Sequence, residues 1–157
     1  MNDLLVAGAG PAGLATAIHA ARAGLDVTVV ERRPGPIDKA CGEGLMPHTL
    51  RHLEVLGITP HGKPFRGITY LDKTRRVEAR FPGAAGRGVR RTVLSEALHD
   101  AAATAGVRIV KGDIGEIEQD ATGVRAGGLT TRYLAAADGL HSPIRRQLGL
   151  DRPTGGG

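Results

Sequence analysis

Apolar positions along the chain change their period several times, and each change marks an element. Leu4-Leu5-Val6-Ala7 is an unbroken apolar run ending at glycine, the pattern of a strand buried on both faces. Proline suits a first helical turn, so a helix is predicted to open at Pro11 and run through Leu14, Ile18 and Ala21 to a stop at Gly24. Val27-Thr28-Val29-Val30 is a second buried strand. It closes a βαβ unit of about 30 residues, for which a right-handed crossover is expected. Residues 32–46 have no period and contain glycine and proline, a loop long enough to suggest a function. Leu50, Leu53 and Leu56 then give one apolar face to a helix over 47–56, stopped near Gly57.

Residues 67–71 and 76–81 alternate as a strand pair around a polar turn at Asp72-Lys73. A glycine-rich loop follows. Val93, Leu94, Ala97, Leu98, Ala101, Ala102 and Ala105 make an apolar stripe on a helix beginning at Thr92 and ending at Gly106. Residues 107–110 return as a strand, and 114–119, 124–126 and 129–133 predict a small antiparallel meander. The apolar run 134–137 and a last helix over 142–148 complete the chain, with a terminal Gly155-Gly156-Gly157. The fold class expected is α/β, a Rossmann-like βαβ dinucleotide-binding fold with a small antiparallel β-meander.

Composition narrows the function. The 157 residues suffice for one domain with a real core, and 41% hydrophobic with 24% charged residues is a globular balance. Two Tyr, two Phe and no Trp exclude a module that binds single strands by stacking. The single cysteine, Cys41, excludes an intrachain disulfide framework and a cysteine zinc cage. No apolar stretch reaches the roughly 20 residues of a membrane span, and Met1-Asn2-Asp3 lacks a basic secretory start, so a cytoplasmic setting is expected. The net charge of +5 comes from arginine pairs scattered along the chain, such as Arg32-Arg33 and Arg90-Arg91. A nucleic-acid binder concentrates its charge on one element, so no nucleic-acid partner is expected. Scattered cations suit a solvated surface with a few arginines beside an anionic cofactor.

Chemistry concentrates first in Gly8-Ala9-Gly10-Pro11-Ala12-Gly13, after a strand and opening a helix. Gly8 allows the tight turn, Gly10 allows the backbone to approach a pyrophosphate, and Gly13 allows helix and strand to pack closely. The helix N-terminus supplies free N–H donors for phosphates. Glu31 ends the second strand 18 residues past Gly13, placed to accept hydrogen bonds from an adenosine ribose. Its charge would repel a 2′-phosphate, which favours FAD or NAD over NADP. The second segment is Ala135-Ala136-Ala137-Asp138-Gly139, where a small apolar strand delivers Asp138 and Ser142 can cap the next helix. His48 and His52 share a helical face but have no third ligand, so no metal is expected. No nucleophile elbow surrounds Ser142 and His141.

These segments together resemble the N-terminal part of FAD-dependent oxidoreductases of the aromatic-hydroxylase (monooxygenase) and geranylgeranyl-reductase type. The glycine motif with Glu31, Arg91-x-x-Leu94-x-x-x-Leu98, and Asp138-Gly139-x-x-Ser142-x-x-Arg145 carry the resemblance in the right order. It implies a glutathione-reductase-type FAD domain, incomplete here. Gly8, Gly10, Pro11, Ala12, Gly13, Glu31 and Arg32 would serve the ADP half of FAD. Arg91 would reach the flavin, and Asp138 with Gly139 would border the cofactor. The loop from Ala40 to Leu45 is similar to the Cys-Gly loop of geranylgeranyl-reductase-like members, with Ala40 and Glu43 departing from it. There Cys41 either tunes or shields the flavin or is a small buried apolar side chain.

The resemblance implies NAD(P)H as electron donor and a small-molecule substrate that is aromatic, polyketide-like or isoprenoid. Catalytic side chains are not identified. Family members are much longer, so residues 1–157 are expected to form the FAD/NAD(P)-binding portion of a larger enzyme. The other classes are a truncated, catalytically inactive dinucleotide-binding module and a basic interaction protein that has lost the cofactor.

Overall fold

The computed structural model describes residues 2–33, 35, 38, 41 and 43–152, in two compact units, Met1–Gly35 with Leu98–Gly157 and Pro36–Ala97. Ala40 and Gly42 of the cysteine loop, and Gly155, Gly156 and Gly157, lie outside the described residues. The first half of the chain forms β1 (Asn2–Ala7), α1 (Pro11–Arg22), β2 (Val27–Glu31), β3 (Gly44–Leu45), α2 (Pro47–Val55), β4 (Lys63–Phe65), β5 (Gly67–Leu71) and β6 (Arg76–Arg80). The second half forms β7 (Gly86–Gly88), α3 (Arg91–Thr104), β8 (Arg108–Lys111), β9 (Glu118–Gln119), β10 (Val124–Ala126), β11 (Leu129–Ala136) and α4 (Pro143–Gln147).

The first unit is built on a six-stranded sheet in the order β8-β2-β1-β11-β10-β9. β1 lies parallel to both β2 and β11, and β2 lies parallel to β8. Strands covered on both faces must be apolar throughout, which is why β1 and β2 read as unbroken runs. The register pairs Val6 with Val29 and Ala7 with Val30. Leu5, Ala7 and Val30 therefore share one face, where they pack with Ile114, Ala126 and Ile144. Val6 and Val29 occupy the other, on the side where α1 contacts β1 and β2 and buries Gly13, Leu14, Ala17 and Ile18. The one polar side chain buried in β2, Thr28, accepts a hydrogen bond from Asn2 Nδ2 at 2.9 Å.

The structure merges two expected strands into one. Residues 129–133 and 134–136 belong to the single β11, which stops one residue short of Ala137; its first part pairs antiparallel with β10 and its length from Thr131 to Ala136 pairs parallel with β1. The change of partner changes the pattern, from alternation beside β10 to small continuous apolar residues beside β1.

In the second unit β5 and β6 form the expected hairpin, pairing Gly67 with Arg80 through Leu71 with Arg76. The three-stranded sheet β3-β7-β4 was not foreseen, because β7 is the tripeptide Gly86-Arg87-Gly88. Its glycine has a packing reason: a Cβ on Gly86 would stand 2.7 Å from the Leu45 carbonyl oxygen and 2.7 Å from the Phe65 ring.

Two outcomes follow for stability. Gly13 has no room for a methyl, since an added Cβ would fall 1.9 Å from the Gly8 carbonyl oxygen. Gly13→Ala should therefore destabilise the first unit by about 1–3 kcal/mol or prevent its folding, measured by thermal unfolding. In the hairpin turn, Asp72 Oδ1 accepts the Thr74 and Arg75 N–H groups at 2.7 Å each. Those bonds hold the Asp72 carboxyl below its ordinary value of 3.8. A lowered carboxyl stabilises the fold above its unfolded-state value, and the contribution is lost as pH falls through the folded value. An NMR titration of the Thr74 and Arg75 amides should show a midpoint below 3.8.

Candidate dinucleotide site

Three adjacent parallel strands end on the same side of the sheet. The chain leaves β1 at Gly8, β2 at Glu31 and β11 just before Asp138. The chain passes from β1 to β2 in one direction across the sheet, while β11 joins β1 from the other. In open parallel sheets such a reversal opens a crevice beyond the carboxyl ends of the strands, where ligands bind.

The turn at this point is assembled from backbone. Gly8 stands at φ +104°, and a Cβ there would come within 2.6 Å of the Ala137 carbonyl oxygen. Its N–H donates to Val30 O at 2.8 Å, while Ala137 N–H donates to Ala7 O at 2.9 Å. The turn is thus tied to both neighbouring strands. Gly10, the N-cap of α1, has an ordinary φ of −73° and no side-chain cap. A Cβ built on it meets nothing within 4 Å. Fold geometry alone would admit alanine at that position. What glycine preserves there is open space beside uncapped helix N–H groups, which a pyrophosphate could fill. Pro11 occupies the first helical position and Ala12 the exposed start of α1.

Glu31 serves this turn directly. Oε2 accepts the Ala9 N–H at 2.8 Å, and Oε1 accepts the Arg33 N–H at 3.0 Å. The carboxylate thus clamps the glycine turn to the exit of β2 and keeps lone pairs for further donors. Arg32, between these partners, is exposed.

The Asp138 carboxylate is also engaged. Oδ2 accepts the Ser142 hydroxyl at 2.8 Å and the Ile144 N–H at 3.1 Å. Ser142 Oγ accepts the Arg145 N–H at 2.9 Å, the N-cap of α4. Arg145 closes the loop, donating through its guanidinium to Leu140 O at 3.1 Å and to Asp151 Oδ1 at 2.8 Å. Asp138 and Ser142 hold the loop that carries Gly139, at φ +93°. A cleft of about 410 Å³ runs between the start of α1 and this loop, lined by Ala12, Ala137, Asp138, Gly139, Ser142 and Arg145 among others.

The first unit therefore brings together Gly8, Gly10, Pro11, Ala12, Gly13, Glu31, Asp138 and Gly139, with Arg32 beside them. Arg91 and Cys41 belong to the second unit. Cys41 is exposed, which overturns its reading as a small buried apolar side chain. Arg91 opens α3, and its Nε is buried with no hydrogen-bond partner among the described residues. Sequence reasoning placed Ala137 in the strand that delivers Asp138 but missed that its carbonyl and methyl line the glycine turn. Its signal was the small-residue run before Asp138. Replacing Ser142→Ala should cost about 1 kcal/mol through loss of the cap, read as a lower unfolding midpoint.

The chain is 35% identical over 163 residues to menaquinone reductase of Mycobacterium tuberculosis, covering 94% of this chain and 40% of that protein. It is 31% identical to a 3-(3-hydroxy-phenyl)propionate/3-hydroxycinnamic acid hydroxylase of Mycobacterium avium, covering 95% of this chain and 31% of the hydroxylase. Among solved structures, the anhydrotetracycline hydroxylase OxyS of Streptomyces rimosus superposes with a TM-score of 0.81 at 27% identity, over 94% of this chain and 34% of that one. The chain thus spans about 40% of the length of the menaquinone reductases it matches. The crevice geometry and the sequence matches agree with the family model for an FAD binding domain, which matches residues 1–157, and the chain belongs to that family.

Proposed function

We propose that residues 1–157 are the FAD-binding portion of a larger flavin-dependent oxidoreductase, which takes electrons from NAD(P)H. The observation that carries this reading is the open space at Gly10, framed by the uncapped start of α1 and the clamped turn. The pyrophosphate would lie over Gly10 and the α1 N-terminus, with Gly8, Pro11, Ala12 and Gly13 shaping the approach. Glu31 would offer its remaining lone pairs to the ribose hydroxyls while holding Ala9, and Arg32 would add positive charge nearby. Asp138 would act through Gly139, fixing the loop that borders the cofactor. Arg91 and Cys41 are the residues we assign to the flavin end.

When bound, FAD supplies the electron chemistry, reduction by NAD(P)H and transfer to oxygen or to a carbon–carbon double bond. The chain's own residues bind, orient and restrict water. Reductase chemistry on an isoprenoid substrate is favoured over hydroxylation of an aromatic or polyketide-like one. Support for that choice is the 35% identity with menaquinone reductase and 33% with digeranylgeranylglycerophospholipid reductase 2 of Methanopyrus kandleri, against 31% with the hydroxylase. No helix among the described residues is long and apolar enough to cross a membrane. A chain with one cysteine needs no oxidising compartment, and the cytoplasm is the setting we propose.

The test separates folding from binding. Gly10→Ala should leave stability within about 0.5 kcal/mol of wild type, because the position is open. It should weaken FAD binding by about 1–3 kcal/mol, because the methyl intrudes where the phosphates approach. Glu31→Ala should weaken binding by a similar amount, about 1–3 kcal/mol for a charged hydrogen-bond partner, and also loosen the turn. Calorimetric FAD titration of both variants decides the matter. Unchanged affinity in both would remove the crevice as the cofactor site.

A further inference from the structure

Among the described residues, Glu43 is the only non-glycine with a left-handed backbone, at φ 51°. An L side chain is disfavoured there, and such positions ordinarily take glycine. A residue that holds this conformation with a long charged side chain needs a use for that side chain. The second unit shows one. Glu43 O accepts the Val89 N–H at 2.7 Å, and its carboxylate Oε1 accepts the Arg91 N–H at 3.1 Å. The next residue, Gly44, pairs with Gly88 between β3 and β7, so the two contacts continue a ladder toward the start of α3.

Helix α3 spans 14 residues and has no acidic residue in its first turn. Its leading N–H groups have no intrahelical partners, and a carboxylate there both accepts a hydrogen bond and meets the positive end of the helix dipole. Here that carboxylate arrives from a segment 48 residues earlier in the chain. Its target is the backbone of Arg91, the residue whose buried Nε has no partner among the described residues. The main chain of Arg91 is fixed while a donor of its guanidinium is left over.

We propose that Glu43 is a positioning residue, which through its carboxylate fixes the main chain of Arg91 so that the guanidinium is presented to FAD. This rests on the assignment of Arg91 to the cofactor. Two effects of one substitution oppose each other and make the role separable from simple structural support. Glu43→Gly removes the carboxylate but relieves the left-handed backbone. Glu43→Gln keeps a neutral oxygen that can still accept the Arg91 N–H.

The experiment compares wild type, Glu43→Gly, Glu43→Gln and Arg91→Met in the full chain. It records the thermal midpoint, the Arg91 amide resonance and the FAD affinity from quenching of flavin fluorescence. In Glu43→Gly the midpoint should stay within about 3 °C of wild type, because the lost cap and the relieved backbone offset one another. In the same variant the Arg91 amide should shift and the dissociation constant for FAD rise about tenfold, the effect of one charged hydrogen bond. Glu43→Gln should restore affinity to within about threefold, since a neutral acceptor keeps part of the bond. Wild-type FAD affinity in Glu43→Gly, with weakened affinity in Arg91→Met, would leave the Arg91 assignment standing and overturn the positioning role. A large fall in midpoint, or no rescue by Glu43→Gln, would also overturn it. Wild-type affinity in Arg91→Met would instead overturn the assignment of Arg91, and the inference with it.

Discussion

The crevice depends on a contact that leaves no room for a side chain. The Gly8 carbonyl oxygen lies where a Cβ on Gly13 would have to be, at 1.9 Å, and the Ala137 oxygen lies 2.6 Å from where a Cβ on Gly8 would stand. Three chain segments therefore meet through backbone: the end of β1, the first turn of α1 and the residues following β11. Any side chain at Gly8 or Gly13 would separate them. The close meeting permits α1 to start directly over the sheet, with its first N–H groups beside Gly10.

Polar atoms then secure what the glycines permit. Glu31 ties the turn to β2 through Ala9 and Arg33, and Asp138 ties the third strand end to α4 through Ser142 and Ile144. Neither carboxylate is a loose surface acid. Each accepts two donors, which orders the backbone around the crevice before a ligand arrives. Preorganisation of this kind lowers the ordering cost of binding. The opposite end of the sheet shows a different use of charge. There Asp3 pairs with Arg132 and Asp26 with Arg108 across neighbouring strands, half-exposed contacts that add little stability.

The second unit follows another rule. Its short sheet relies on glycine for close approach, at Gly86 against Phe65 and Leu45, and Glu43, the one left-handed non-glycine among the described residues, spends a side chain on the helix that follows. The apolar residues Tyr70 and Val77 face each other across the hairpin and remain 63% and 61% exposed. Alternation along β5 and β6 therefore makes a hairpin without making a core.

The sequence by itself determined the first βαβ unit and the glycine turn that ends its first strand. Parallel strands buried on both faces must be continuous apolar runs, and a turn that approaches phosphate must be glycine, so Leu4 to Glu31 carried its structure openly. The hairpin turn at Asp72 and the cap at Ser142 were equally local, since each needs only residues two or three apart. Only the tertiary structure decided the rest. β7 has no strand pattern because Gly86 and Gly88 contribute no side chains, and its strand state comes from the neighbours that pair with it. The extent of β11 depended on two partners of opposite direction. The use of Ala137 and Glu43 depended on segments far away in the chain, brought within hydrogen-bonding distance by folding, which no local pattern encodes.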